Sequence, residues 1–234
     1  FPLEGLGMSL HFSPGPIFDN FITEDNYKKY SNIDAAIEHM EFQRKALQIT
    51  REQLPSSKSL IGFVGGLYTL LRFAIDKKKP VKKIEEFHFD FLTNTLLPLI
   101  KRNIQLQLEA GAEIVMMFDS GLTDLNEAIF LSKYIFLIED IAKTFPGKVG
   151  YYSKGKSFDN ICPLFDYPFA GIGIDHTIDI QGSFSSYRKG FIQGNFDENK
   201  LLLDAEQFSK ELEKYCDEIK SISDLNGWVC GLGH

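Results

Sequence analysis

Six short apolar runs recur along this chain, and each is closed by glycine or a polar cluster. They are Leu60-Ile61-Gly62-Phe63-Val64-Gly65, Ile114-Val115-Met116-Met117-Phe118-Asp119, Val149-Gly150-Tyr151-Tyr152-Ser153, Ile172-Gly173-Ile174-Asp175, Phe191-Ile192-Gln193-Gly194-Asn195 and Trp228-Val229-Cys230-Gly231-Leu232. Their apolarity is continuous, not alternating, which predicts strands covered on both faces, as in a parallel sheet flanked by helices. Helical stretches separate them. One is expected over residues 91–110, stopped at Gly111, and one over residues 123–144, broken by Pro146-Gly147. A third starts at the N-cap Asp204 and carries Phe208, Leu212 and Tyr215 on one face. Strand–helix alternation of this kind gives an α/β fold with right-handed crossovers.

The choice lies between an open doubly wound sheet and a barrel. No GxGxxG or GxxxxGK[ST] follows any strand, which removes the main support for a nucleotide-binding open sheet. The strand ends favour a barrel. Gly65-Gly66, Asp119-Ser120, Ser153-Lys154, Asp175-His176, Gln193-Gly194-Asn195 and Gly233-His234 all fall where strands finish, and barrel enzymes place their chemistry on that rim. Six strands are two short of eight. The expectation is therefore a (β/α)8 TIM-type barrel with strands three to eight in this chain, forming a single partial domain over 1–234. Phe1 is not an initiator methionine, and the chain stops at Gly231-Leu232-Gly233-His234 without a closing helix, so both ends read as cut. Residues 1–16, punctuated by glycine and proline, are expected to form a long loop or short hairpin.

Composition narrows the partners. With 44% hydrophobic and 24% charged side chains in 234 residues, the chain buries a large core. The net charge of -7 leaves no basic stripe for nucleic acid. Lys77-Lys78-Lys79 with Lys82-Lys83 reads as a solvated loop. No apolar run approaches the ~20 residues of a membrane span, and residues 1–10 lack the pattern of a signal peptide. Cys162, Cys216 and Cys230 are odd in number and far apart, with no zinc spacing, which points to reduced thiols in a cytoplasmic protein.

Taken alone, no rim residue names a reaction. Ser120 lacks a GxSxG elbow. His176 and His234 could act as general acids or bases, although a lone histidine is more often a hydrogen-bonded structural residue. Asp119 and Asp175 would either orient loops or touch substrate. The residues by themselves describe a barrel enzyme with an anion-tolerant rim.

The order of the segments goes further. Leu6-Gly7-Met8 with Gly15-Pro16 resembles the loop after the second strand of uroporphyrinogen decarboxylases. Leu60-Ile61-Gly62-Phe63-Val64-Gly65-Gly66 with Thr69-Leu70 resembles that family's third strand, and Ala110-Gly111-Ala112 with Phe118-Asp119-Ser120 its fourth. Gly173-Ile174-Asp175, then Gln193-Gly194-Asn195-Phe196-Asp197, is similar to its sixth and seventh, and Leu232-Gly233-His234 to its eighth.

The resemblance implies cofactor-free removal of the four acetate carboxyls of uroporphyrinogen III, giving coproporphyrinogen III in haem synthesis, by a homodimer that holds no metal. A protonated pyrrole is its own electron sink, so the protein supplies orientation and charge placement. The family's catalytic aspartate, and the arginine-rich loop that grips substrate carboxylates, would fall upstream of Phe1. Three of its substrate-binding positions remain: Ser120, His234 and Phe73, the last where the family carries tyrosine. Leu67 replaces the usual proline, His176 a tryptophan and Gly231 an asparagine. Arg72, beside Phe73, could supply a lost contact, but an outward-facing position is the expectation. Two alternatives stay open. A cobalamin-dependent methyltransferase of the same superfamily would need a His-x-Cys zinc motif after the fifth strand, and Tyr151-Tyr152-Ser153-Lys154-Gly155 has none. A non-catalytic tetrapyrrole-binding relative would account for Phe73 and the other substitutions.

Overall fold

The chain opens with a one-turn helix and the antiparallel hairpin of β1 (Leu10–Phe12) and β2 (Pro16–Phe18), in which Leu10 faces Phe18. This is the short hairpin expected there, extended by two residues. The computed structural model describes residues 1–76, 84–223 and 225–232. These group into two units, Phe1–Asn126 and the residues from Glu127 onward. The lysine-rich stretch 77–83 and His234 lie outside the described residues.

In the first unit, β3 (Ile61–Gly65) and β4 (Ile114–Asp119) run parallel, with Ile61 level with Ile114 and Gly65 with Phe118. The helix Leu67–Ala74 follows β3, and the helix Leu97–Glu109 leads into β4. The expected helix over 91–110 is present but composite. It starts at Glu86, widens into a π turn at Leu92–Leu96, then continues to Glu109. Gly111 ends it in the left-handed conformation, at φ 106°. Two further helices, Ile33–His39 and Glu41–Gln53, lie in a stretch for which the motifs gave no expectation. Asn32 caps the first, accepting from the Ala35 N–H at 3.1 Å.

β3 departs from expectation in one respect. Its side chains alternate, with Ile61 42% and Phe63 70% exposed, so only one face is covered among the described residues. The Phe63 peptide groups are nevertheless occupied. Gln107 Oε1 accepts from the Phe63 N–H at 3.0 Å and Gln107 Nε2 donates to its carbonyl at 2.9 Å, as a neighbouring strand would.

The second unit holds four parallel strands in chain order: β5 (Val149–Ser153), β6 (Gly171–Gly173), β7 (Phe191–Gln193) and β8 (Trp228–Val229). Every residue of β5 and β6 is buried, as the continuous apolar runs require. The last three strands are shorter than their runs. Ile174 still donates to the Gln193 carbonyl at 2.9 Å, but Asp175 and Gly194 turn into rim loops. The long helix Ala205–Ser221 begins where expected, with the Asp204 carboxylate accepting from the Gln207 N–H at 2.9 Å. Phe208, Leu212 and Tyr215 share one stripe with Ile219, along which Ile219 is buried, Phe208 and Tyr215 are half-buried and Leu212 is 38% exposed. The helix expected over 123–144 starts instead at Glu127, because residues Ser120–Asp124 close a 3-10 turn and Leu125 is extended.

Candidate active-site rim

In the first unit the rim is built by the residues that leave β3 and β4. The helix Leu67–Ala74 starts at Gly66, which offers no side chain to its unpaired N–H groups. Asp119, at the end of β4, does so from fifty residues away. Its Oδ1 accepts from the Thr69 N–H at 2.9 Å and from the Thr69 hydroxyl at 2.9 Å. That hydroxyl in turn accepts from the Gly121 N–H at 2.9 Å. A Cβ on residue 66 would sit 2.3 Å from the Asp119 carboxyl carbon, so glycine is required for this approach. Asp119, fully buried, therefore orients the rim and holds the helix that bears Phe73.

Ser120 opens the turn that Thr69 anchors and is half-buried. Thr69, Arg72 and Phe73 fall at i, i+3 and i+4, on one face of the helix. The Phe73 ring meets Phe1 and Phe18 edge-on, with centroids 5.7 and 6.0 Å away. The structure thus connects Phe73 and Ser120 through Thr69 and Gly121, and places an aromatic wall behind Phe73. Arg72 contradicts the outward-facing expectation. Its side chain is 7% exposed and its Nη2 lies 3.2 Å from Oδ2 of Asp124, which is 48% exposed. The helix sits so close to the 120–124 turn that the Arg72 stem must bury against Gly121, where an added Cβ would meet Arg72 Cγ at 3.4 Å. Burial pushes the neighbouring Tyr68 hydroxyl up to about 12, opposed by Arg72 and reinforced by Asp124 and Asp119.

In the second unit a parallel arrangement ties three rim loops. Asp175, 2% exposed, accepts from the Gly155 N–H at 2.7 Å and from the N–H and hydroxyl of Thr177. Asn195 donates to the carbonyls of Asp175 at 3.0 Å and Ile178 at 2.7 Å, and its own N–H is received by the Tyr215 hydroxyl at 2.8 Å. Tyr215 donates to the Gly194 carbonyl at 2.7 Å, which Trp228 Nε1 also reaches at 3.0 Å. The Gln193-Gly194-Asn195 motif is therefore a staple between loops.

His176 is hydrogen-bonded, as the bland reading of a lone histidine has it. Its Nδ1 lies 3.1 Å from Glu198 Oε2 and 3.9 Å from Asp197 Oδ1. These three are the one group among the described residues whose donors converge as metal ligands would. Lys154 Nζ already lies 3.5 Å from Glu198 Oε1, so one of the two carboxylates faces a lysine. Glu198 stays below the usual carboxylate range: burial pushes it up, but its own backbone N–H, His176 and Lys154 outweigh that. Asp197 is held down chiefly by the Asn199 backbone N–H. Beside them lies a cavity of about 300 Å³ lined by His176, Asn195, Lys200, Glu211 and Tyr215.

Sequence reasoning selected Ser120 and Phe73 but missed Thr69 and Asp124. The available signal was a helix starting at Gly66 without a capping residue, whose free N–H groups demand an acceptor from elsewhere.

Comparison with known proteins places this geometry. The sequence model of the family described as Uroporphyrinogen decarboxylase (URO-D) matches residues 1–234. A uroporphyrinogen decarboxylase of Campylobacter lari is 31% identical over 252 residues, spanning 100% of this chain and 71% of its own. One from Nautilia profundicola is 28% identical, with 100% and 71% coverage. Among solved structures, a methyltransferase from Methanosarcina mazei superposes with a TM-score of 0.79, covering 99% of this chain and 71% of its own, at 13% identity. A B12-independent methionine synthase from Shewanella gives 0.56 over 80% of this chain, also at 13% identity. At that identity the structural likeness speaks for the fold, and together with the family match it establishes the TIM-type α/β barrel class.

Proposed function

The chain belongs to the uroporphyrinogen decarboxylase family, and from that premise we propose that the protein carrying it converts uroporphyrinogen III to coproporphyrinogen III. Each step replaces an acetate carboxylate by a proton, releasing CO2 and leaving a methyl group. The observation that carries this reading is the family match across residues 1–234, joined by a 31% identical decarboxylase that aligns with the whole chain. Chain 1–234 is read as a single partial barrel domain, acting without metal or cofactor, in a cytoplasmic homodimer. No helix among the described residues is long and apolar enough to cross a membrane.

The roles follow from chemistry. A protonated pyrrole draws the electron pair of the breaking C–C bond, so the protein must orient one acetate and place charge around the ring. Ser120, at the end of β4, is placed to donate to a substrate carboxylate or the ring periphery, and His234 is assigned the same task. Phe73 packs the wall beside the reacting acetate without the hydroxyl that tyrosine would bring. The group that faces the ring N–H donors is assigned to an aspartate upstream of Phe1. Supporting this division, both buried rim aspartates of this chain, Asp119 and Asp175, are engaged in holding loops.

The test is anaerobic incubation of the protein with uroporphyrinogen III, followed by chromatography of the oxidised products. A stepwise series from eight carboxyls to four is expected. Unchanged octacarboxylate, or methyl transfer dependent on added methylcobalamin, would refute the reading.

A further inference from the structure

Arg72 is the one buried arginine among the described residues. Arg44, Arg51 and Arg102 lie on the helices Glu41–Gln53 and Leu97–Glu109 with side chains 35%, 27% and 49% exposed, and Arg188 is exposed ahead of β7. A guanidinium stripped of water is tolerated only beside a well-placed carboxylate. One carboxylate beside it is Asp124, which keeps half of its own surface in solvent. A pair made only for stability would gain most with both partners enclosed. This one joins a buried cation to a carboxylate that is half in solvent.

Its position is informative. Arg72 stands one turn into the helix that leaves β3, and Asp124 closes the turn that leaves β4. Ser120 begins that same turn, and Phe73 is the next residue on the same helix face. Both elements project from strand C-termini, where barrels of this kind hold substrate. The planar fork of arginine also matches a carboxylate in two parallel hydrogen bonds. We propose that Arg72 binds a carboxylate of the polycarboxylate substrate, and that Asp124 occupies the guanidinium as an internal stand-in until the substrate displaces it. This rests on the decarboxylase reading for the class of substrate, but the recognition of carboxylate is independent of whether CO2 is lost.

The pair also explains how Phe73 is tolerated. A hydroxyl that would have oriented the reacting side chain is missing, and a cation on the adjacent residue fixes a carboxylate instead.

The experiment measures binding of uroporphyrin (eight carboxylates) and coproporphyrin (four) by the shift of the porphyrin absorption band, with melting temperature and kinetics beside it. It uses the protein carrying this chain and its variants Arg72→Gln, Arg72→Lys and Asp124→Asn. Arg72→Gln is expected to weaken uroporphyrin binding and raise KM by roughly tenfold to a hundredfold, with Arg72→Lys intermediate. Asp124→Asn removes the competitor and is expected to tighten binding by roughly threefold to tenfold. If Arg72→Gln does not fold, Asp124→Asn alone decides. Uroporphyrin affinity that is unchanged or weaker in Asp124→Asn, or unchanged in Arg72→Gln while melting falls, would make the pair purely structural and overturn the proposal. A protein that binds uroporphyrin but never decarboxylates uroporphyrinogen refutes the functional reading alone and leaves Arg72 to be judged by affinity.

Discussion

Replacing Asp119 by alanine removes the group that caps a helix from another strand. Among the interactions lost are two hydrogen bonds to a buried carboxylate, both on Oδ1 and both from Thr69. Bonds to a charged acceptor contribute about 1.5–3 kcal/mol each, and the two share one oxygen, so the loss is about 3–4 kcal/mol. For a chain of this size that lowers the melting temperature by roughly 6–16 °C. Asp119→Asn keeps an accepting oxygen and should cost about 1 kcal/mol. Gly66→Ser separates capping from packing. By itself it is destabilising, because its Cβ meets the Asp119 carboxyl. Combined with Asp119→Gly, which also removes the Asp119 Cβ that lies 2.5 Å from the added one, it gains both space and a local cap, and should recover about 1 kcal/mol relative to Asp119→Gly alone. Urea and thermal unfolding of the four proteins measure the cycle. Additive behaviour of Gly66→Ser and Asp119→Gly, or stability of Asp119→Ala within about 0.5 kcal/mol of wild type, would refute the trans-cap.

Three further outcomes are expected. His88 is buried and completes a capping box, its Nδ1 accepting from the Glu85 N–H at 3.1 Å. Burial lowers its pKa from 6.5, so the folded chain holds it neutral and its contribution is lost as pH falls below that value. The loss of stability between pH 7.5 and 5.5 should be smaller in His88→Gln, which keeps the cap and does not titrate, and an identical pH response would contradict this. Tyr215→Phe strands the Asn195 N–H and should cost about 1–3 kcal/mol in urea unfolding, with no loss counting against the loop staple. Ser120→Ala should lower kcat/KM for uroporphyrinogen by roughly tenfold to a hundredfold with melting unchanged, and wild-type kinetics would remove it from the site.

How far the sequence reaches is seen in particular residues. Val149–Ser153 and Ile114–Asp119 were legible to the residue, because an uninterrupted apolar run between polar ends allows little besides a strand covered on both faces. Residues Ile33–His39 and Glu41–Gln53 went unread, since the first is short and the second, though amphipathic, is largely polar and buries no residue. Ser120 and Phe73 were selected by the order of motifs. The burial of Arg72 was hidden, because it depends on how closely Gly121 lets a separate turn approach the helix. For Asp119 and Asp175 the sequence left orienting loops and touching substrate equally open, and they serve as loop anchors, a distinction that only hydrogen-bond partners make.

The most direct test of the central claim is the mass spectrum of the product formed from uroporphyrinogen III by the metal-stripped protein in the presence of chelator. The account predicts loss of four carboxyl groups, with the remaining four intact, at the rate seen before stripping. A product that keeps all eight carboxyls, or decarboxylation that stops with chelator and returns with added metal, would contradict it.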